Sequence, residues 1–264
     1  TISIITVTNN RKRVFPLAIF NYNSFDYPRD KLDWIIIDDS TEGEGIESLL
    51  PPENMRQKYN IQYIHNENKT SVSDKRNLAM TYAKGEYVML MDDDDYFYPK
   101  TLRNRMTEFL NIQRDRPYKK VAGFTKLGCF DVNRYISWIN INSEGSPIYE
   151  SLVESSLLFS RDFYTDNNKF TENKNTKMLE GFLKGQESVI IEQSWENNFV
   201  SLSHQNSLSG SHPPEKEDSN GCHYGFSEKL FEFIIGLFKD PNATPSHSPG
   251  PSNNKSTPKR IKEI

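Results

Sequence analysis

The sequence Tyr87-Val-Met-Leu-Met-Asp-Asp-Asp-Asp-Tyr-Phe-Tyr-Pro99 joins a short apolar segment directly to four aspartates. Behind Gly85, the residues Tyr87–Met91 are typical of a buried strand. The carboxylates Asp92–Asp95 would then lie at the carboxyl end of that strand, where open α/β sheets bind their ligands. Neighbouring carboxylates repel one another strongly inside a protein, and a divalent cation with oxygen ligands commonly offsets such charge. The pattern predicts a cation-dependent site, with a solvated acidic turn as the alternative.

The composition excludes some classes of partner. The chain has 264 residues, and its hydrophobic share of 35% is low, which predicts polar loops or a disordered tail. A net charge of −4 gives no reason to expect nucleic acid or an anionic membrane as a partner. No run approaches the roughly 20 apolar residues of a transmembrane segment. Cys129 and Cys222 fit no metal or redox spacing, which favours a reducing compartment and predicts a cytoplasmic location.

Strands and helices alternate over the first hundred residues. The strands are short runs of β-branched and apolar residues, and the segments between them carry apolar residues at helical spacing. Such alternation with short links predicts a parallel sheet covered by helices on both faces. The predicted strands are Ile2–Val7, Trp34–Ile37, Ile61–Ile64 and Tyr87–Met91, and the predicted helices are Val14–Tyr22, Ser71–Gly85 and Pro99 to about Arg114.

The pattern after residue 120 is less regular. Residues Val121–Ile141 alternate enough to predict an antiparallel strand pair, and Asp166–Lys177 is rich in Asn and Lys, which predicts a flexible loop. The other predicted elements are strands at Leu157–Ser160, Ser188–Ile191 and Phe199–Leu202, a short helix at Met178–Gly185 and an amphipathic helix at Phe226–Lys239.

Polar side chains follow three of the predicted strands. Thr8-Asn-Asn-Arg11 comes after the first, Asp38 and Asp39 come after the second, and Asp92–Asp95 come after the fourth. Because the carboxyl ends of parallel strands meet at one edge of a sheet, these residues are expected to converge. Their convergence predicts a ligand site more firmly than any one of them does.

Two basic residues, Lys75 and Arg76, fall near the start of the predicted helix that follows Ser71. The helix dipole disfavours positive charge at that end, whereas it favours a bound anion. An anion held there would explain both residues, and simple exposure to solvent is the alternative.

Three segments together resemble the family-two glycosyltransferases. They are Ser3-Ile-Ile-Thr-Val-Thr-Asn-Asn-Arg11, Ile36-Ile-Asp-Asp-Ser40, and Lys75-Arg-Asn-Leu-Ala with Gly85-Glu-Tyr-Val and Asp92–Asp95 at the family's spacing. The resemblance covers about residues 1–110. Further along, Glu180-Gly-Phe-Leu and Ser203-His-Gln-Asn-Ser resemble a subgroup found in large DNA viruses and microbes, so a viral protein made in the host cytoplasm is one interpretation.

The resemblance implies an α/β protein with the Rossmann-like GT-A fold. Its central sheet would be mostly parallel and flanked by helices, and a smaller antiparallel element would lie in the second half. The implied division is a nucleotide-sugar-binding half at 1–100, an acceptor-binding and catalytic half of the same domain at 101–204, a flexible loop at 205–226, a C-terminal helix at 227–239 and a disordered tail at 240–264.

The resemblance also implies a reaction and a donor pocket. The reaction would move a sugar, with inversion, from a nucleotide diphosphate sugar to a hydroxyl of a glycan or glycoconjugate. Val7, Thr8 and Asn9 would line the pocket for base and ribose. Asp39 would accept a hydrogen bond from the uracil imide, which favours a UDP-sugar, with Asp38 as its supporting neighbour.

The aspartate run would contain the DXD motif of the family. Arg76 would meet the diphosphate or ribose. Within Asp92-Asp93-Asp94, Asp94 would be the first candidate for a direct ligand of Mn²⁺ or Mg²⁺, Asp92 would be a second residue of the metal site, and Asp93 would lie near the ribose. The metal would neutralise the diphosphate leaving group. His204 is a further candidate ligand, against the alternative of a structural histidine.

Inverting transfer needs a general base that takes the proton of the acceptor. The family often places this carboxylate in a Glu-Asp pair, but here Glu180 is followed by Gly181. Glu180 is the first candidate, with exposure on a helix surface as the alternative. Asp162, Asp166 and Glu187 are the other candidates.

Two other functions compete with the transferase. A sugar-phosphate nucleotidyltransferase would need a Gly-rich phosphate loop after the first strand, and Thr8-Asn-Asn-Arg11 contains no glycine. A catalytically inactive nucleotide-sugar-binding module is the other alternative, because the Glu-Asp pair is missing. The segment Gln205–Tyr224 is a candidate lid over the bound donor.

Overall fold

The computed structural model describes residues 1–141, 146–171, 178–183, 186–192, 196, 198–204 and 226–238. Within these residues, every helix is too short or too polar to cross a membrane. The predicted lid at Gln205–Tyr224, the predicted tail at 240–264 and Cys222 lie outside the described residues.

Short strands and helices build the described part of the chain. The strands are β1 (Ile2–Thr8), β2 (Leu32–Asp38), β3 (Ile61–His65), β4 (Tyr87–Leu90), β5 (Tyr96–Phe97), β6 (Val121–Phe124), β7 (Lys126–Asp131), β8 (Ile136–Ile141), β9 (Leu158–Ser160), β10 (Val189–Glu192) and β11 (Phe199–Ser203). The helices are α1 (Pro16–Ser24), α2 (Glu53–Arg56), α3 (Val72–Tyr82), α4 (Thr101–Asp115), α5 (Ile148–Ser151), α6 (Met178–Phe182) and α7 (Glu228–Phe238). The strands and helices predicted before residue 116 are all present.

The larger sheet has seven strands in the order β10-β6-β9-β4-β1-β2-β3. Strands β4, β1, β2 and β3 are parallel to one another, and β10 is parallel to β6. Strand β9 is antiparallel to both of its neighbours, β4 and β6. The predicted α/β class with a mostly parallel central sheet is confirmed. The parallel order brings the carboxyl ends of β1, β2 and β4 to one edge.

Helices cover both faces of this sheet because its strands are apolar on both sides. Along β1, Ile4 packs into one core cluster and the next residue, Ile5, packs into another. Helices α1 and α4 contribute to the first cluster, and α3 and α6 contribute to the second. On the first face, the Trp34 indole lies between the rings of Phe15 and Tyr22, at centroid distances of 5.9 and 4.6 Å.

A smaller sheet has the strand order β5-β11-β7-β8. Strands β7 and β8 form an antiparallel hairpin, and β11 pairs parallel with β7 and antiparallel with β5. The predicted antiparallel element is confirmed in this hairpin, but Val121–Phe124 is a separate strand that belongs to the larger sheet. Helix α7 packs against the smaller sheet through Ile234 and Ile235.

The close crossing of two chain segments explains Gly85. A side chain there would collide with the backbone of Ile2 and Ser3. The Gly85 N–H donates to the Ser3 hydroxyl at 2.8 Å, and that hydroxyl donates to Asp33 Oδ2 at 2.9 Å. The sequence predicts a helix that extends to Gly85, whereas α3 ends at Tyr82. The glycine is required by the contact with β1.

A buried ion pair ties α4 to the far edge of the larger sheet. The guanidinium Nε of Arg105 lies 3.1 and 3.0 Å from the two carboxylate oxygens of Glu192 on β10. Their side chains are only 1% and 2% exposed. Removing one partner of such a pair leaves an uncompensated buried charge, which is strongly destabilising.

We therefore expect Glu192→Gln to lower the free energy of unfolding by about 3–5 kcal/mol. The matched control is Asp26→Asn, which breaks the exposed pair between Asp26 and Arg103 of α4 and is expected to change the free energy of unfolding little, because solvent screens exposed pairs. Urea unfolding of both variants measures the difference. Equal losses of unfolding free energy in the two variants would show that burial does not make the Arg105–Glu192 pair more stabilising than the exposed pair.

Candidate active site

The acidic run after β4 meets segments from two other strands. The Thr8 hydroxyl at the end of β1 donates to Asp93 Oδ2 at 2.5 Å. His204, which follows β11 of the smaller sheet, has its Nε2 atom 3.0 Å from Asp94 Oδ2. The predicted convergence of the strand ends is therefore present, and the smaller sheet adds a histidine to it.

The end of β2 joins the same cluster through a lysine. The Lys75 ammonium donates to Asp39 Oδ1 at 2.8 Å and to the Thr8 carbonyl at 3.1 Å. Asp39 Oδ2 accepts from the backbone N–H of Thr70 at 2.8 Å, and Asn9 donates to the Asp39 carbonyl at 2.9 Å. The Asp39 side chain is fully covered, so a ligand reaches this carboxylate only if Thr70 or Lys75 moves.

Asp38 has a different task from its neighbour. Its carboxylate accepts from the backbone N–H groups of Ser40 and Ile46 and from the Tyr63 hydroxyl, at 2.9 to 3.0 Å. These contacts fold the loop after β2 around a buried carboxylate. Asp38 therefore supports the site.

Arg76 lies against the first aspartate of the run. Its guanidinium is 3.3 Å from Asp92 and 3.4 Å from Glu154, and its Nη1 is 2.6 Å from the Met178 sulfur. The first turn of α3 instead carries Asp74, whose N–H is capped by Ser71. Lys75 and Arg76 thus pair with carboxylates of the protein itself, and both are buried, so the alternative of simple exposure to solvent is wrong. Arg76 is buried, and its neighbour Asp92 is 34% exposed.

Arg11 occupies the space between the central aspartates and His204. Its Nη1 hydrogen-bonds to Asp94 Oδ2, lies 3.8 Å from Asp93 Oδ1 and lies 3.3 Å from His204 Nε2. The ring of Phe238, at the end of α7, packs on the His204 ring at 4.8 Å. A guanidinium is therefore the cation that neutralises this part of the acidic run.

Asp95 points into the protein and connects the two sheets. Its Oδ1 accepts from the Leu202 N–H on β11 at 3.2 Å, and its carbonyl accepts from the Asn21 amide at 2.8 Å. Since His204 lies two residues beyond Leu202, this contact fixes the position of the histidine along the run.

The central aspartates have opposite shifts of pKa. Burial and the neighbouring charge of Asp94 raise the pKa of Asp93 to about 7. Burial also opposes ionisation of Asp94, but the hydrogen bond with His204 and the charge of Arg11 outweigh it and lower the pKa of Asp94. Burial and the charges of Asp94 and Asp92 raise the pKa of Asp95 well above its ordinary value. Of the four aspartates, Asp94 is thus the one whose surroundings lower the pKa.

The candidate bases occupy different edges of the sheet. Glu180 is exposed on α6, and α6 begins at Met178, whose sulfur touches Arg76 beside Asp92. Asp162, paired with Lys120 at 2.8 Å, lies at the amino end of β4, and Glu187 lies two residues before β10, which also begins at that edge. Asp166 forms an exposed pair with Lys169 at 2.6 Å. Among these four, the contacts link only the helix of Glu180 to the acidic run.

The other predicted pocket residue, Val7, is partly buried at the end of β1 beside Ile37. Three roles in the cluster are absent from the sequence-based prediction: Arg11 as a partner of Asp94, Lys75 as an ion-pair partner, and Asp95 as an anchor for β11. A basic residue directly after Thr8-Asn-Asn is the signal that identifies Arg11. No local pattern indicates the pairing of Asp95 with β11, because it joins residues 107 positions apart.

Asp94 and His204 are the side chains that fit a divalent ion. Their facing atoms are 3.0 Å apart, about the separation of adjacent ligands on an octahedral ion bound at roughly 2.1 Å. Asp92 faces Arg76, and within the described ranges no three acidic, histidine or cysteine side chains form a metal-binding group. An ion here would therefore need further ligands from substrate or solvent.

Comparison with known proteins supports the resemblance to one family. Residues 3–120 match the model of glycosyl transferase family 2. This part of the chain is therefore similar to that family. TarS of Staphylococcus aureus, a poly(ribitol-phosphate) β-N-acetylglucosaminyltransferase, is 26% identical over 167 residues, which are 62% of this chain and 26% of TarS. WcaA of Escherichia coli, named for colanic acid biosynthesis, is 36% identical over 110 residues, which are 41% of this chain and 36% of WcaA. The chain thus spans about a quarter to a third of these relatives.

Solved structures show the same fold. The structure of TarS with UDP-GlcNAc superposes with a TM-score of 0.58 at 18% identity, covering 90% of this chain and 71% of that one. The mannosyltransferase PcManGT from Pyrobaculum calidifontis, in complex with GDP-Man and Mn²⁺, gives a TM-score of 0.55 at 16% identity, covering 76% of this chain and 56% of that one. The predicted GT-A fold is confirmed.

The Asp39–Lys75 pair predicts how stability depends on pH. Burial opposes the charge of Asp39, but hydrogen bonds from Lys75 and Thr70 outweigh it and lower the pKa of Asp39 below its ordinary 3.8. The ion pair therefore contributes stability above pH 3.8, and this contribution is lost as the pH falls through the lowered pKa. We expect Asp39→Asn to lower the free energy of unfolding at pH 7 by about 3 kcal/mol and to reduce the loss of stability below about pH 4.

Urea unfolding between pH 3 and pH 7 provides the measurement, and the exposed Asp30→Asn is the control. The control is expected to follow the wild type at every pH. An Asp39→Asn curve that runs parallel to the wild type would mean that the pair does not contribute to the acid dependence.

Proposed function

We propose that this chain is a metal-dependent inverting glycosyltransferase that moves a sugar from a nucleotide diphosphate sugar to a hydroxyl of a glycan or glycoconjugate. The observation that carries the proposal is the junction at one sheet edge of Thr8, Asp39, Asp93, Asp94 and His204. Direct hydrogen bonds and one lysine connect these residues, although they come from four different strands. The match of residues 3–120 to the model of glycosyl transferase family 2 supports the reaction class.

The donor is proposed to be a UDP-sugar held by β1 and β2. Val7, Thr8 and Asn9 are proposed to line the pocket for base and ribose, and Asp39 is the acceptor proposed for the uracil imide. Each Asp39 oxygen already accepts one hydrogen bond, but a carboxylate oxygen accepts two, so a base can add to the contact once the cover from Thr70 shifts. The TarS structure with UDP-GlcNAc is consistent with uridine, whereas PcManGT binds GDP-Man.

The diphosphate is proposed to lie against Asp94, His204 and Arg76. When bound there, Mn²⁺ or Mg²⁺ would neutralise the charge that develops on the leaving diphosphate. Asp94 and His204 would hold the ion, and the lowered pKa of Asp94 keeps that carboxylate ionised for the task. Asp92 holds Arg76 in place, and Asp93 with Thr8 would orient the ribose.

Glu180 is proposed as the general base. Its exposure on α6 leaves the carboxylate open to an acceptor, and α6 begins beside the Arg76–Asp92 pair. The acceptor itself would be bound by the second half of the chain, proposed as residues 101–204. The cytoplasmic location is retained as a proposal, because it rests on cysteine usage.

The two alternatives make different demands on the site. A nucleotidyltransferase would need a glycine-rich phosphate loop after β1, and the residues there are Asn9, Asn10 and Arg11. A binding module would keep the donor contacts and lose turnover. The measurement that separates them is release of nucleoside diphosphate from the donor.

We expect Mn²⁺-dependent release of nucleoside diphosphate from a UDP-sugar, when UDP-, GDP- and dTDP-sugars are compared with Mn²⁺ and then with EDTA. Asp94→Asn is expected to reduce the rate by at least about 100-fold, because several kcal/mol of charge stabilisation are lost. Asp115→Asn, an exposed change on α4, is the control and should leave the rate unchanged.

Failure to bind any nucleotide would contradict the proposal. Tight binding of UDP without release of nucleoside diphosphate, in the presence of candidate acceptors, would favour the binding module.

Glu180→Gln is expected to lower kcat by about 10²–10⁴-fold, the usual contribution of a positioned general base. The affinity for UDP should stay unchanged, because the base does not touch the donor nucleotide. Glu187→Gln, at the amino edge of the sheet, is the matched control. A Glu180→Gln variant with full kcat would exclude Glu180 as the base.

A further inference from the structure

Arg11 is the cation at the centre of the acidic run. Its Nη1 bonds to Asp94 Oδ2, and Asp93 Oδ1 and His204 Nε2 lie 3.8 and 3.3 Å away. The Arg11 side chain is 16% exposed, in contrast to 1% for the side chain of Arg105 in its structural ion pair. Arg11 thus has a route to solvent that a purely structural buried arginine lacks.

The contacts of His204 conflict with one another. Its Nε2 atom lies 3.0 Å from Asp94 Oδ2 and 3.3 Å from Arg11 Nη1. If Nε2 carries no hydrogen, it can accept from Arg11 but presents its lone pair to Asp94, whereas an Nε2–H group can donate to Asp94 but then faces the N–H groups of Arg11. Neither state satisfies both contacts. A small cation in the place of the guanidinium would accept lone pairs from Asp94 and His204 at once.

We infer that Arg11 is a resident counter-cation of Asp94 and His204, and that it leaves them to bind the diphosphate of the donor. This inference rests on the proposed function. A divalent ion and a guanidinium compete for the same lone pairs, and the planar fork of arginine matches phosphate oxygens. Because Arg11 lies at the start of the loop after β1, its charge stays at the site when it leaves Asp94.

This exchange of partners, in which Arg11 leaves Asp94 and His204 for the diphosphate, predicts that Arg11→Gln changes the affinities for Mn²⁺ and for UDP in opposite directions. Without nucleotide, the variant should bind Mn²⁺ about 10- to 100-fold more tightly than the wild type, because one competing charge-assisted hydrogen bond is removed. With saturating Mn²⁺, it should bind UDP about tenfold or more weakly, because a diphosphate ligand is lost. A merely structural arginine would not produce this reversal.

The full-length chain is titrated with Mn²⁺ by electron paramagnetic resonance, and with UDP by calorimetry. Arg13→Gln is the matched control, because Arg13 is exposed in the same loop and the change in charge is identical. Both affinities of the control should match the wild type. Arg11→Lys keeps the positive charge but lacks the planar guanidinium, so it tests the exchange of partners if Arg11→Gln fails to fold. Its affinity for Mn²⁺ should be higher than that of the wild type.

The outcomes separate the inference from the proposed function. If wild-type Mn²⁺ binding with UDP depends on Asp94 but neither Arg11 variant binds Mn²⁺ more tightly, the counter-cation role of Arg11 is wrong while the metal site stands. If Asp94→Asn leaves Mn²⁺ binding with UDP unchanged, the proposed metal site fails, and the exchange fails with it.

Discussion

Four consecutive carboxylates at the end of one buried strand cannot be tolerated without partners, and the fold supplies a different partner to each. Asp92–Asp95 contact Arg76 from α3, Thr8 from β1, Arg11 from the following loop, and the backbone of Leu202 on β11. Since these partners are far apart in the sequence, the acidic run is neutralised only when the two sheets and α3 have come together. The electrostatic cost of the run thus couples formation of the site to completion of the fold.

The first half of the fold is predictable because its signals are local. Apolar runs such as Trp34–Ile37 and Tyr87–Met91 are too hydrophobic to be exposed on either face, and the spacing between them allows only helical crossovers of a parallel sheet. The same logic fails after residue 120. Val121–Phe124 and the hairpin that follows form one continuous pattern in the sequence, and what separates them is the choice of sheet, which depends on the neighbours β9 and β11.

The candidate site is predictable as a place but not as a set of contacts. Strand ends indicate where Thr8, Asp39 and the aspartates lie, because the edge of a parallel sheet is fixed by topology. Ion pairs between long side chains are not encoded by spacing, so the partners of Lys75 and Arg76 cannot be inferred from their place near the start of α3. Both bind carboxylates of neighbouring elements, so each of these basic residues near the start of α3 has a partner within the protein.

The length of the acidic run reflects a division of tasks between adjacent residues. Asp95 is buried with a raised pKa and holds β11 through Leu202, whereas the lowered pKa of Asp94 keeps it charged beside His204. Neighbouring carboxyl groups whose environments shift their pKa values apart commonly serve different roles. Because the strand that carries His204 is fixed by Asp95, the anchor and the candidate metal ligand are adjacent in sequence. By holding β11, Asp95 thereby sets the position at which His204 contacts Asp94.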